Sequence, residues 1–360
     1  MKRLAYIWLL TIASCYPNEE LPDDQKVWEY GKPAHVGMSN EMLFDLHQRI
    51  AEGDFEDIKS LTIIKQDKIV FENYYDNSFR TAIRPAGLVS QIVTVAALGQ
   101  VVADGYIKSL DDPILLYMPK YSNIFDAQPE KKDITIRDVL QNKSGLVWFE
   151  SAIQVGSADF SRMKNTTDWP GYVIKQDMEA PPDVRLVVNS GGANLLTSIM
   201  QYALGEIDLE EYIDEHILKP IGIKNYRWEY DPSGNLDGAS GLFLRDIDFT
   251  RLGYLFLNYG LWQRRRVIDE DWSYEMLFPR SEAARYYDLC YGWRSFSEGY
   301  ADFFGFERGD IFFTPLDHGQ VLFLVPEENM IVSIYAENYF YGFGNPSLQI
   351  FLNLFASIEN

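Results

Sequence analysis

The segment from Leu88 to Ala103 constrains this chain more than any other. It is apolar on nearly every side when wound at helical spacing, and it ends in Asp104-Gly105-Tyr106-Ile107. A helix of that kind has no face to offer to water, so it must be buried and the rest of the chain must wrap it. A length of 360 residues suffices for one large domain or for two lobes that share a site. Aromatic residues make up 15% of the chain, which favours a thick core over an aromatic-lined groove.

The flanking periodicities supply the layers. Ser39-Asn40 is a cap signal ahead of helical spacing from Met42 to Ile50. Ser60 to Lys65 and Ile69 to Tyr74 read as two strands of a hairpin, with Gln66-Asp67-Lys68 between them. Short helices are expected over Ile134 to Gln141 and Asp168 to Lys175, and a helix pair over Gly192 to Leu204 and Leu209 to Leu218. Further helices fall at Asp246 to Tyr259 and Asp269 to Leu277. Strand chemistry returns at Gln320 to Val325 and Met330 to Ala336, and Ser347 to Ala356 closes the chain as a helix. Strands at both ends with helices between predict an α+β fold: one antiparallel sheet built from both termini, plus an inserted all-helical lobe. The sheet lobe should take about residues 31–86 and 285–360, and the helical lobe about 87–284.

The N-terminus reads as an address. Lys2 and Arg3 precede the short apolar run Leu4 to Ile12, then Ala13-Ser14-Cys15. That run is too short to span a membrane and is read as a secretory signal over residues 1–14. It resembles the lipobox of bacterial lipoproteins, which implies cleavage before Cys15 and lipid on its sulfur. An ordinary signal peptide is the alternative. Residues 15–30, rich in acidic groups, are expected to form a flexible tether. The expected location is the cell envelope, with the lipid anchor as the sole membrane contact. With Cys15 lipidated, Cys290 has no disulfide partner and is read as a small buried apolar residue. A formal charge of −21 argues against nucleic acid as a partner. His35, His47 and His216 are scattered without metal-ligand spacing, and no metal or cofactor is expected.

Several ordered stretches carry a resemblance. They are Asp104 to Pro113, Thr135 to Leu140 leading into Ser144-Gly145-Leu146, Asn189 to Leu196, Lys219 to Ile223, and Gly238 to Leu242. Together they resemble the class C β-lactamase and penicillin-binding-protein-like serine hydrolase family from about residue 30 onward. The resemblance implies a β-lactamase/transpeptidase-like fold. It also implies four reactive groups: a serine nucleophile, a lysine one helical turn later, a tyrosine from the helical lobe, and a lysine or histidine before a strand glycine.

Counting from the matched stretches, those positions fall on Leu88, Gln91, Val188 and Asp317, the last in Asp317-His318-Gly319. Leucine has no nucleophilic atom, valine relays no proton, and glutamine is no general base near neutral pH. The expectation is a pseudoenzyme whose vestigial groove binds a peptide, glycan or protein partner. That groove would be lined by Leu88, Gln91, Trp148, Val188, Asn189, Asp317, His318 and Gly319. The alternative is a working esterase, peptidase or β-lactamase-like hydrolase that uses displaced residues such as Ser90 or His318. Ser90 lies about 200° around the helix from Leu88, which points it away from the groove. His318 takes the strand position instead of Asp317 if one residue is deleted locally. A structural envelope protein with a filled groove is a third reading, and a structure without a cavity beside Leu88 would favour it.

Overall fold

Alternation in the strands at the two ends of the chain determines how the layers stack. A computed structural model describes residues 27–76, 80–150, 158–284, 286–316, 319–337 and 345–358. In chain order the strands are β1 (Glu29–Tyr30), β2 (Ile58–Lys65), β3 (Lys68–Tyr74), β4 (Ile83–Pro85), β5 (Arg227–Trp228), β6 (Leu242–Arg245) and β7 (Leu261–Trp262). They continue with β8 (Arg265–Arg266), β9 (Ser281–Ala284), β10 (Tyr287–Leu289), β11 (Arg294–Phe296), β12 (Phe312–Phe313), β13 (Val321–Val325) and β14 (Met330–Ala336). Nine of them form one sheet in the order β1-β3-β2-β14-β13-β12-β11-β10-β9, so the two ends of the chain do meet at its centre. Every pairing in it is antiparallel except β1 with β3. The β2–β3 hairpin turns on Gln66 and Asp67, both with positive φ, and pairs Lys65 with Lys68. Two residues with φ > 0 match the twist of flanking strands.

The central strands β13 and β14 are buried along their whole length because the sheet is covered on both faces. Val321, Phe323, Val332 and Ile334 pack with the helices Asn40–Glu52 and Pro346–Phe355; Phe323 stacks on Phe351 at 4.1 Å. Leu322, Leu324 and Ile331 alternate to the opposite face and join the larger core. There the helix Asp246–Leu257 lies against the sheet. A Cβ at Gly253 would come within 2.8 Å of Ile331, so the missing side chain sets that close approach.

The apolar segment is buried as its composition requires. A 3-10 turn, Gly87–Val89, leads into the α-helix Ser90–Ala103, so the α-helix begins two residues later than expected. The helix Gly192–Leu204 packs on it, as does Trp272 of the helix Glu270–Leu277. The Trp272 ring lies where a Cβ on Gly99 would be, and its Nε1 donates to the Val95 carbonyl at 3.1 Å. The small sheet β4-β6-β5 sits at the entry to this helix; Ala86 N donates to the Leu242 carbonyl at 2.7 Å.

Two boundaries differ from expectation. The tether does not extend to residue 30: Trp28 is buried between Tyr254 and Trp262, and Glu29–Tyr30 forms a strand. An apolar side chain of that size contributes more inside than as part of a solvated tether. The span 87–284 is also not wholly helical lobe. The helix Asp246–Leu257 covers the sheet, and β9 at Ser281–Ala284 is its edge. Among the described residues, no helix is long and apolar enough to cross a membrane. The signal segment 1–14 and Cys15 lie outside the described residues.

Candidate active site

Three segments distant in sequence meet beside the N-terminus of the buried helix. The 3-10 turn presents Leu88, and Gln91 follows one turn later on the same side. The loop before the helix Gly192–Leu204 brings up Val188 and Asn189. Strand β11 and the turn before it contribute Arg294 and Gly292. Leu88, Gln91 and Val188, assigned from separate stretches, line one and the same cavity.

Asn142 holds the Val188 loop in place. Its carbonyl accepts from Val187 N at 2.8 Å and its Oδ1 from Asn189 N at 2.9 Å. Asn189 Oδ1 then accepts from Gly192 N at 3.1 Å, which closes the turn into the helix. Asn142 has a φ of 59°, a conformation that asparagine tolerates better than most residues. Glu150 supplies the other clamp: its Oε2 accepts from Trp148 Nε1 at 2.6 Å and from Ser190 N at 2.9 Å. Sequence reasoning singled out neither Asn142 nor Glu150. A polar residue after a short helix and a lone carboxylate carry no pattern of their own.

The cavity measures about 40 Å³. Ligand sites run to roughly 300–1,000 Å³, whereas one water needs only about 10–15 Å³, so this space suits a few waters. Leu88, Val139, Val188 and Leu196 make its apolar side; Gln91, Glu150, Ser190 and Arg294 make its polar side. The Ser190 hydroxyl is buried and has no hydrogen-bond partner among the described residues. Among the described residues, no lysine, tyrosine, histidine or cysteine lines the cavity.

Other expected residues lie elsewhere. Trp148 stands behind the wall, 5% exposed, with its ring at the place where a Cβ on Gly191 would be. Gly191 is glycine for that close approach, since its φ of −63° is ordinary. Gly319 is outside the wall, and its carbonyl accepts from Ser347 Oγ. Asp317 and His318 lie outside the described residues. Ser90 is fully buried; its Oγ donates to the Gly87 carbonyl at 2.7 Å and accepts from Leu242 N at 3.1 Å. The Ser144 hydroxyl accepts from Leu146 N within its own turn. Cys290 is buried near Gly292, and burial pushes its thiol up to about 12, far from a reactive thiolate. Among the described residues no cluster of His, Cys, Asp or Glu is placed to hold a metal ion.

Comparison with known proteins agrees with this geometry at the level of fold. A proposed 6-aminohexanoate-dimer hydrolase from Bacillus anthracis superposes with a TM-score of 0.73 at 14% identity, over 94% of this chain and 88% of that one. A family VIII carboxylesterase gives 0.67 at 12% identity, over 91% of this chain and 99% of that one. A class C beta-lactamase from Rhodobacter sphaeroides gives 0.62 at 15% identity, over 88% of this chain and 99% of that one. No curated protein matches the chain in sequence. The family model described as Beta-lactamase matches residues 60–340, a span that includes most of β2 and all of β13 and β14. The chain therefore belongs to the beta-lactamase family, with the fold shared by class C beta-lactamases and penicillin-binding-protein-like serine hydrolases.

Proposed function

We propose that this protein is a family member that no longer forms an acyl-enzyme, carried on a lipid anchor at Cys15 in a bacterial cell envelope. One observation carries the first part: Leu88, Gln91 and Val188 converge on a single cavity of about 40 Å³. Acyl transfer in this fold needs a hydroxyl to attack, a base to take its proton and a relay to the leaving group. The side chains at the three positions can do none of these. Their replacement is also mutually consistent. With the nucleophile gone, a lysine at this position would carry a desolvation cost with no catalytic return; neutral Gln91 avoids that cost, and Leu88 and Val188 fill apolar volume. Ser90 does not rescue the chemistry, because both sides of its hydroxyl are committed to backbone. The cavity is too small for a peptide or glycan, so any such partner binds elsewhere on the molecule. The anchor rests on the basic start, the apolar run Leu4 to Ile12 and Cys15.

A second reading has one observation in its favour. Ser190 brings an unpartnered hydroxyl to the cavity beside the Glu150 carboxylate, so a displaced serine could still react. Intact mass after incubation with a fluorophosphonate and with a β-lactam separates the two. Folded protein with no adduct is the expected result. A stoichiometric adduct that peptide digestion maps to Ser190 would establish the second reading and overturn the first.

A further inference from the structure

A larger cleft lies away from the vestigial centre and shares no lining residue with it. It opens between strand β10, the start of the helix Glu298–Phe304 and Arg308, and measures about 720 Å³. That is within the range of small-molecule sites. Its walls combine two kinds of surface. Tyr286 and Tyr300 meet edge to face, 4.9 Å between ring centroids, and form an aromatic corner. Phe303, on the same helix, is 77% exposed and so presents its ring to whatever enters the cleft. In the same lining, Asp288 is 2% exposed and its Oδ2 accepts from Arg308 Nε at 2.6 Å. Glu298 adds a second carboxylate.

Charge narrows the occupant. Two carboxylates in the wall, on a chain of net charge −21, oppose an anion. The Arg308 guanidinium and the Asp288 carboxylate neutralise each other, so the pair offers hydrogen-bonding groups rather than net charge. Aromatic faces beside a self-neutralised polar pair suit a neutral molecule with apolar faces and a rim of hydroxyls. A pyranose fits that description: its C–H face lies flat on an aromatic ring, and its vicinal hydroxyls both donate and accept. A carboxylate beside a guanidinium offers acceptors and donors at matching spacing. The bond to Asp288 engages Nε alone, out of five N–H donors that a guanidinium carries. We propose that this cleft is a binding site for a neutral saccharide, with Tyr300 and Phe303 as stacking faces and the Asp288–Arg308 pair as the hydroxyl-binding edge. The site does not depend on whether the vestigial centre reacts.

The test is isothermal titration calorimetry of the purified protein with chitotetraose, cellotetraose and maltotetraose, with tetralysine and tetraglutamate as charged controls. Phe303→Ala and Arg308→Lys serve as variants: Phe303 is 77% exposed, and a lysine keeps a cation beside the buried Asp288 carboxylate while removing the guanidinium donors. At least one tetrasaccharide should bind, and each variant should weaken it by roughly ten-fold or more at unchanged melting temperature. The Leu88→Ser/Gln91→Lys/Val188→Tyr variant should bind it as the parent does. The proposal is overturned if none of the three sugars binds, if binding survives both cleft variants, or if a charged peptide binds more tightly than any sugar.

Discussion

Asp246 shows how one residue can carry a pH dependence far from any active centre. It is 2% exposed at the start of the helix Asp246–Leu257, with its carboxylate 3.6 Å from the Arg84 guanidinium. Burial raises its pKa from 3.8 to about 6; Arg84 pulls it down, and Asp76 and Glu72 push it up again. At a pH below the unfolded value the group is protonated in both states and costs nothing. Between 3.8 and about 6 the unfolded chain ionises while the folded protein keeps the proton, so the loss builds across that window and is complete once the buried carboxylate ionises above it. Stability is therefore full at low pH and lost towards neutrality as far as this group is concerned. Asp246→Asn removes the titration, so its stability relative to the parent should rise between pH 4 and 7 by on the order of 3 kcal/mol. Urea unfolding of both proteins across that range checks it, and a difference that stays flat would remove Asp246 from the explanation. Nothing in the run Leu244-Arg245-Asp246 marks this in the sequence, where an aspartate before a helix reads as a solvated first-turn acid. The same limit applied at Gly191, legible as a glycine at a turn but not as the place where Trp148 sits.

At the scale of elements, the same helix is tied to its surroundings by charge as well as by apolar packing. Asp248 accepts from Arg245 Nε at 2.7 Å and Nη2 at 2.8 Å, and Arg251 Nε lies 3.2 Å away. All three side chains are at most 1% exposed, and Arg251 also donates to the Ile221 carbonyl. Asp248→Ala should cost about 3–5 kcal/mol, because it strands two buried guanidinium groups. Replacing all three by apolar residues of similar volume should cost less than that single change, which urea midpoints would show directly. If the single and triple variants lose equal stability, packing rather than charge governs the helix. Periodicity revealed this helix and the long strands β2, β13 and β14, because each spans enough residues for the spacing to repeat. It could not reveal β10, β11 and β12, only two or three residues long, which hold the sheet through pairing with neighbours distant in sequence. The shared cavity of Leu88, Gln91 and Val188 was legible for a different reason: each lies at a fixed offset from a recognisable turn. Asn142 and Glu150, which position that cavity by single hydrogen bonds, have no such landmark.

For the whole molecule, the architecture and the proposed loss of chemistry rest on different residues. The sheet, the buried helix and the two cores depend on some dozens of apolar positions, and Leu88, Gln91 and Val188 are not among them. Reversal should then be possible, at a cost in stability. Val188→Tyr puts a phenol ring where the cavity leaves about 40 Å³, and Gln91→Lys places an ammonium near a half-apolar wall. Overpacking of that kind costs about 1–3 kcal/mol, so the Leu88→Ser/Gln91→Lys/Val188→Tyr variant should unfold at lower urea than the parent while keeping its far-ultraviolet spectrum. Its reactivity should depend on all three changes together, since groups that move one proton act as a unit. Leu88→Ser alone supplies a hydroxyl with no base and should form no adduct with a fluorophosphonate, whereas the triple variant should form one at the restored position. If the single variant reacts as fast as the triple, some other group already takes the proton. Glu150, whose carboxylate reaches the same cavity, is then the residue to remove next, and its substitution should abolish the reaction without the lysine or the tyrosine ever having been needed.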